Sequence, residues 1–231
     1  MKAVHTYSFF TPQLDSDKRR FQVAAHTWQS QGWEERPVHD QDLPRMFVER
    51  VGVDGRPNKC LPFVRDVLDK ACEGLMFNDV VIYTNGDTCV STDCRKKVLK
   101  RLKVVDACYC FRRDFAEEFL EPKPDAEIKK GTDHVGSDLH AFKVSWWKAN
   151  RKEYPNLVLA MIGPDAILRH LMDEGGDWPR TKLENLIYHQ IHDARWEQPA
   201  NKFTLPGNRL NIQLVNGFLK KRNIEPSKFR I

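Results

Sequence analysis

The chain has 231 residues, 41% of them hydrophobic and 30% charged, which suits one large or two small globular domains with a sizeable core. No apolar run approaches the roughly 18 residues of a membrane span, and the first residues lack the apolar segment of a secretory signal. A formal net charge of +5 mildly favours anionic ligands such as phosphates or nucleic acid. We therefore expect a cytoplasmic protein, in the host cytoplasm if it is viral, with no membrane partner.

The cysteines argue against a structural zinc site, and the basic clusters leave the type of ligand open. The six cysteines show neither a Cys-x-x-Cys pair nor zinc-ribbon spacing, so we expect reduced thiols and no structural zinc site. The densest basic clusters lie in residues 96–103 and 220–222. Each is interpreted either as a solvated helix face or as a contact for an anion.

Strand and helix patterns alternate through the first half of the chain. Strands are predicted over residues 4–10, 35–39, 80–83 and 104–111, and helices over 17–31, 64–75 and 91–103. Strands that alternate with helices are typical of right-handed crossovers. The order therefore predicts an α/β fold with a mostly parallel central sheet flanked by helices.

The strand at residues 80–83 is a continuous apolar run that breaks abruptly into a polar turn containing Asn85, Gly86 and Asp87. Ligand sites in open α/β sheets lie just beyond the carboxyl ends of such strands. A short carboxylate there can hold a divalent cation, and the cation can hold a diphosphate. The alternative is a plain strand-to-helix turn in which Asp87 supports a helix start.

The second half begins with a loop-like stretch over residues 121–134, followed by the segment 136–142 and the pair Trp146-Trp147. Residues 157–162 predict a short apolar strand, after which Gly163-Pro164-Asp165 opens a helix. Asp165 lies in the first turn of that helix, near the positive end of its dipole. Its role is then either chemical or limited to stabilising the helix start.

A further helix is predicted from residue 182, where Thr181-Lys182-Leu183-Glu184 has the form of a capping box. Apolar residues at helical spacing form its buried stripe, and the opposite face carries two histidines and a tryptophan, namely His189, His192 and Trp196. One neutral histidine facing a cation–diphosphate is the functional interpretation. A polar helix face is the alternative.

Three segments, taken together and in this order, carry a family resemblance: residues 79–88, residues 136–142 with Trp146-Trp147, and residues 188–196. They resemble small GT-A-like glycosyltransferases, which have the nucleotide-diphospho-sugar transferase fold. The resemblance covers residues 3–197. It implies a single Rossmann-like GT-A domain over residues 1–231, in which residues 198–231 form a basic C-terminal extension packed on the rest.

The resemblance implies a divalent cation, Mn²⁺ or Mg²⁺, that grips the diphosphate of the donor. The Asp-x-Asp metal motif of the family corresponds to Asn85-Gly86-Asp87, with Asn85 in place of the first acid. Asp87 would be the principal cation ligand and His192, or His189, the distal one. Because an amide coordinates without bringing charge, Asn85 leaves metal dependence open.

The resemblance also implies a nucleotide-sugar donor, a UDP-sugar, and two catalytic carboxylates. Asp138 matches the acidic residue beside the donor sugar, and Asp165 matches the general base for the acceptor hydroxyl if the reaction inverts configuration. His140 replaces the usual first phenylalanine of the family segment. The residues implied in donor binding are Ser8, Phe9, Thr11, Asp40, Asn85, Gly86, Asp87, Gly136 and Trp147.

The resemblance implies a glycosyltransferase, and the basic net charge permits a polyanionic acceptor, including modified bases in DNA. A base acceptor must leave the stack, and Trp146, Trp147 or Trp196 offers a stacking surface. Two alternatives remain. One is a nucleotidyltransferase on the same fold, which the absence of glycine from residues 9–13 disfavours. The other is a nucleotide-sugar-binding protein without catalysis, which Asn85 and His140 favour.

Overall fold

The computed structural model describes residues 1–9, 15–44, 46–49, 59–116, 123–174, 180–191 and 205–226. The strands are β1 (Ala3–Thr6), β2 (Ser8–Phe9), β3 (Glu34–Glu35), β4 (Val38–His39), β5 (Met46–Glu49), β6 (Lys59–Pro62), β7 (Val80–Thr84), β8 (Cys89–Val90), β9 (Ala107–Phe115), β10 (Thr132–Lys143) and β11 (Lys182–Gln190). The α-helices are α1 (Asp15–Gln29), α2 (Val64–Cys72), α3 (Cys94–Arg101), α4 (Asp125–Ile128), α5 (Val144–Asn150), α6 (Pro164–Asp173) and α7 (Pro206–Lys221). A 3-10 turn spans Asp40–Asp42.

A seven-stranded sheet in the order β3-β1-β7-β10-β9-β11-β8 forms the centre of the fold. The pairs β1–β3, β1–β7 and β9–β11 are parallel, whereas β10 runs antiparallel to both β7 and β9, and β8 antiparallel to β11. Two small sheets, β2–β4 and β5–β6, lie beside it. The predicted α/β class is confirmed, but the sheet is mixed rather than mostly parallel.

Strand β7 runs through the middle of the core, and all five of its residues are buried. Because side chains alternate across a strand, it contributes to both faces. Val81 and Tyr83 pack with α2, α5, α6 and α7 on one face. Val80 and Ile82 pack on the other with Trp28 of α1 and the buried side of α3. The continuous apolar run that predicted this strand is therefore explained by burial on both faces.

Residues 182–190 form strand β11, so the predicted helix with a histidine-bearing face is wrong. The register of β11 against β9 shifts between Leu183 and Ile187, and Asn185 at the irregularity has a φ of 56°. Between these two positions β11 has two more residues than β9, and such an irregularity interrupts the period-two alternation of a strand. Leu183, Leu186 and Ile187 all reach the same core cluster, and their spacing of three and four residues imitates a helix.

Two other predicted strands also differ from the structure. Residues 35–39 divide into β3 and β4, which pair with different strands. Residues 157–162 form a loop whose only strand-like contact, within the described part of the chain, is an isolated bridge between Val158 and Phe63. Side chains of α7 replace a neighbouring strand there: Asn211 accepts from the Val158 N–H at 2.8 Å and donates to the Val158 carbonyl at 2.9 Å.

Helix α7 lies in the stretch that the sequence predicts as a C-terminal extension, and it belongs to the main core. Val215, Phe218 and Leu219 are at most 5% exposed and join the cluster on the α2 face. No helix in the described residues is both long enough and apolar enough to cross a lipid bilayer.

Candidate functional site

Three polar side chains meet where three strands end. Asp87 follows β7 after a two-residue turn, Asp114 lies at the end of β9, and His189 lies at the end of β11. These three strands point in the same direction, so their carboxyl ends share one edge of the sheet. The fold thereby joins Asp87 to His189, which are 102 residues apart in sequence.

His189 lies between two carboxylates. Its Nε2 is 3.2 Å from Oδ2 of Asp87, and its Nδ1 is 3.4 Å from Oδ1 of Asp114. Burial opposes the charged imidazolium, but interactions with Asp114 and Asp87 outweigh it, and the pKa of His189 is raised. A protonated imidazole therefore partly neutralises a site rich in carboxylates.

Arg112 extends this group along β9 towards β10. Its Nε is 2.8 Å from Oδ1 of Asp114, and its Nη1 is 2.6 Å from Oδ2 of Asp138. The side chain of Asp138 is only 5% exposed, and that of Arg112 13%. Buried charges are costly unless they are paired, so Arg112 is what allows both carboxylates to remain there.

Asp165 completes the group from the start of α6. Gly163 precedes the helix with a φ of 102°, a left-handed conformation that suits glycine, and Pro164 occupies the first helical turn. Burial first, and then the negative charge of Asp138, raise the pKa of Asp165 to about 8, against the opposing effects of Arg112 and Arg169. A helix N-terminus normally favours an ionised acid, so burial and Asp138 dominate here. Such a carboxyl exchanges its proton near neutral pH.

The turn that carries Asp87 is held closely against α1. A Cβ placed on Gly86 would lie 2.3 Å from Cε1 of Phe21, so this position has no room for a side chain while Phe21 keeps its place. On the other side of Asp87, the Thr88 carbonyl accepts a hydrogen bond from Nε1 of Trp28 at 2.8 Å. These contacts fix the path of the turn that presents Asp87 at the sheet edge.

His134 and Gly136 lie on β10 beside the same carboxylates. Nδ1 of His134 is 3.2 Å from Oδ2 of Asp114. A Cβ on Gly136 would come within 3.1 Å of the His134 ring and 3.5 Å of Oδ1 of Asp138. Gly136 therefore allows the imidazole and the Asp138 carboxylate to lie close to the backbone.

The structure brings together some of the residues that the sequence proposes and separates others. Asp87, His189 and Asp138 belong to one connected group through Asp114 and Arg112, and Asp165 lies near enough for the charges of Asp138 and Arg112 to shift its pKa. Trp147 does not join it: this side chain is 1% exposed in the core and its Nε1 donates to Oδ1 of Asp69 at 2.9 Å.

Some of the residues predicted to bind the nucleoside lie in or directly after β2 and β4, and others lie outside the described part of the chain. Ser8 is buried in β2 and pairs with Val38 of β4, and Phe9 follows it in the same strand. Asp40 begins the 3-10 turn directly after β4. The residues that lie outside the described part of the chain are Thr11, His192 and Trp196.

Asp87 and His189 offer a carboxylate oxygen and an imidazole nitrogen, donors that suit Mn²⁺. Among the described residues, no group of three or more His, Cys, Asp or Glu side chains is arranged to hold a metal ion. Magnesium-type sites often take only one or two protein carboxylates and complete their shell with substrate phosphates. The pair therefore fits a cation shared with a phosphate ligand better than a cation held by the protein alone.

Sequence reasoning missed Arg112, Asp114 and His134. A usable signal was present for Asp114, because residues 107–111 form an apolar run that is followed by Arg112-Arg113-Asp114. The same reasoning that selected Asp87 after β7, a carboxylate at the carboxyl end of a buried strand, applies to Asp114 after the apolar part of β9.

Comparison with protein-family models finds no match for this chain, and comparison with curated protein sequences finds no significant similarity.

Proposed function

We propose that the protein is a glycosyltransferase that moves a sugar from a nucleotide-sugar donor, a UDP-sugar, to an acceptor hydroxyl. The observation that carries the proposal is the connected group of charged side chains at one edge of the sheet: Asp87, His189, Asp114, Arg112 and Asp138. Asp165, at the start of α6, is influenced by the charges of Asp138 and Arg112. The reaction develops negative charge on the leaving group and removes a proton from the acceptor. Cationic side chains can stabilise the negative charge, and a carboxylate can accept the proton.

We assign the GT-A-like fold as part of the same proposal. In its support, β7 ends at a turn with a short carboxylate, and the antiparallel strand β10 lies between β7 and β9 and carries Asp138. The turn with Asn85 and Asp87 is the proposed diphosphate side of the site. Ser8 and Asp40, at the ends of β2 and β4, are the proposed nucleoside side.

The leaving group of the reaction is an anionic nucleoside diphosphate, so the site must stabilise negative charge there. Asp87 and His189 would hold Mn²⁺ or Mg²⁺, which supplies Lewis-acid neutralisation of the diphosphate when bound. Without the cation, the raised pKa of His189 favours the protonated imidazole; to bind the cation, His189 would give up the proton on Nε2. Arg112 orients Asp138 beside the donor sugar through the 2.6 Å ion pair.

Asp165 is the proposed general base. The bond between sugar C1 and the phosphate oxygen breaks with its electron pair leaving on the diphosphate, and the acceptor oxygen bonds to C1. The acceptor proton passes to Asp165, whose pKa of about 8 gives a base with a strong hold on that proton. This assignment corresponds to inversion at C1.

A panel of UDP-, GDP- and TDP-sugars tests the proposal by thermal shift, with and without Mn²⁺. We expect at least one donor to raise the melting temperature by about 2 °C or more, because a ligand that binds only the native state stabilises it. Slow release of the free nucleotide from that donor should accompany binding, and Asp165→Asn should lower the rate by about 10²-fold or more. Binding without any turnover would favour the non-catalytic alternative, and no binding of any donor would refute the proposal.

A further inference from the structure

The short helix α3 has an unusual charge composition. Five of its eight residues are cations and none is an acid: Arg95, Lys96, Lys97, Lys100 and Arg101. Its first turn alone holds three of these cations. Cations at a helix N-terminus are unfavourable because the helix dipole is positive there. This arrangement weakens the isolated helix, and a bound anion would relieve the unfavourable interaction.

Lys96, Lys100 and Lys103 form a stripe on the exposed side of this segment, which we call the basic face. Their spacing of four and then three residues returns to one side of a helix, and all three are exposed. Within the part of the chain that the structure describes, no carboxylate pairs with any of the three. The basic face is therefore a set of solvated positive charges and not a network of surface ion pairs.

The apolar side of α3 is already used by the fold. Cys94 and Val98 are completely buried, and Leu102 is 3% exposed in the same cluster. A helix that binds a membrane surface needs an apolar face to insert among the lipids. Since α3 has none left, its charge suits a polyanion that is bound from water by electrostatics.

Helix α3 runs alongside the strand that carries His189. At the start of α3, the backbone N–H of Thr92 donates to the Lys123 carbonyl at 3.3 Å, and the N–H of Lys123 donates to the hydroxyl of Tyr188, the neighbour of His189, at 2.9 Å. At the end of α3, Arg101 contacts the Arg180 carbonyl just before β11 begins. A polymer lying along the basic face would therefore follow β11, with one end towards His189.

We propose that the basic face of α3 binds the phosphate backbone of duplex DNA and so directs the acceptor to the neighbouring site. Lys96 to Lys103 extend over about 10 Å at a helical rise of about 1.5 Å per residue. Each strand of duplex DNA presents one charge per about 3.4 Å of axis, hence about three phosphates of the nearer strand over that length. Backbone contact of this kind positions the nucleic acid without reading its sequence. The identification of DNA as acceptor rests on the proposed transferase function, whereas the binding itself does not.

Fluorescence anisotropy with a labelled short DNA duplex, in the absence of donor, tests the binding over a range of salt concentrations. The test variant is Lys96→Gln/Lys100→Gln/Lys103→Gln. The matched control, Lys2→Gln/Lys152→Gln/Lys220→Gln, removes three exposed charges elsewhere. For the test variant we expect at least about tenfold weaker binding and a salt slope less steep by about 0.9 for each lost phosphate contact. We expect the control to stay close to wild type.

Equal loss in the two triple variants, or no binding of duplex at low salt, would overturn the proposal. So would binding of anionic phosphatidylserine vesicles without binding of the duplex. Lys96 lies in the first turn of α3, where a cation is unfavourable, and Lys100 lies in the last turn, where it is favourable, so the two substitutions have opposite effects on helix stability. The thermal melting of the variant serves as the folding check. The two proposals can fail separately. If the wild-type protein bound no nucleotide sugar but the test variant lost duplex binding, the DNA-binding role of the basic face would be supported and the transferase function refuted.

Discussion

Nε2 of His189 lies 3.2 Å from Oδ2 of Asp87, and this contact links the end of β11 to the turn after β7. The imidazole also faces Asp114, so it separates two carboxylates that would otherwise repel each other. A single side chain therefore both stabilises the sheet edge and sets the charge of the candidate site.

Replacing His189 tests whether its side chain stabilises the edge of the sheet. His189→Ala leaves Asp87 and Asp114 without their shared cation in a largely buried place, so we expect a loss of about 3 kcal/mol in the free energy of unfolding. Chemical denaturation measures it. The exposed His26 in α1 is the control, and His26→Ala should change stability by no more than about 0.5 kcal/mol. Similar effects of the two substitutions would contradict the structure.

The contribution of His189 should depend on pH with a defined sign. Its pKa is raised above the ordinary value of 6.5, so the folded protein holds this proton more tightly than the unfolded chain. The stabilisation is complete below 6.5 and disappears as the pH rises through the raised pKa. The difference in unfolding free energy between wild type and His189→Gln, measured across a pH series, should shrink as the pH increases. A difference that grows with pH would contradict the assignment.

The raised pKa of Asp165 predicts that activity increases with pH. Because its pKa is raised to about 8, the carboxylate that accepts the acceptor proton becomes fully populated only at mildly alkaline pH. We expect kcat/KM to rise with pH and to level off above about 8. The residual activity of Asp165→Asn should lack this rise. A wild-type profile that is flat from pH 6 to 9 would remove Asp165 from the role of base.

The same pKa predicts an effect on stability. The ordinary pKa of an aspartate is 3.8, so between that value and about 8 the folded protein binds more protons at Asp165 than the unfolded chain does. The stability of wild type relative to Asp165→Asn should therefore fall as the pH rises across this range. Paired urea titrations of the two proteins would show it. A constant difference would mean that Asp165 is not held in a proton-retaining environment.

Asn211 tests how far α7 supports the site. Its side chain bonds the Val158 N–H and carbonyl and the Ile162 carbonyl, in the loop that leads into α6 and Asp165. Asn211→Ala leaves buried backbone groups without partners, at a cost of about 3 kcal/mol. The exposed Asn216 of the same helix provides the control, and Asn216→Ala should be close to neutral. Equal stability of the two variants, measured by chemical denaturation, would contradict the role of α7 as a support for this loop.

Local signals in the sequence predicted the parts of the fold that depend on local structure. The apolar run before Asp87 identified β7, and Gly163-Pro164-Asp165 identified the start of α6, because burial on both faces and helix-start geometry are set by neighbouring residues. These two segments also contain two of the carboxylates in the candidate site.

The features that the sequence did not predict depend on the pairing of strands that are distant in the chain. The irregularity near Asn185 brings Leu183, Leu186 and Ile187 to one core cluster, so the apolar spacing in β11 resembles that of a helix, and the pairing of β11 with β9 is what makes it a strand. Arg112 becomes a bridging residue because β10 pairs antiparallel with β9 and places Asp138 beside it. No periodicity within either segment encodes that pairing, so the bridging role of Arg112 was not predictable from the sequence, whereas the position of Asp114 at a strand end was.

The central claim is that Asp87 helps to bind the cation and the diphosphate of the donor. Isothermal titration calorimetry tests it most directly, with the donor identified by the thermal-shift panel and with Mn²⁺ present. The proteins compared are wild type, Asp87→Asn and the exposed-site control Asp93→Asn. The proposal predicts that the donor binds wild type and Asp93→Asn alike, and that Asp87→Asn weakens binding by about tenfold or more, because the carboxylate at the end of β7 no longer helps to hold the cation and diphosphate. Equal affinity for all three proteins would contradict the account.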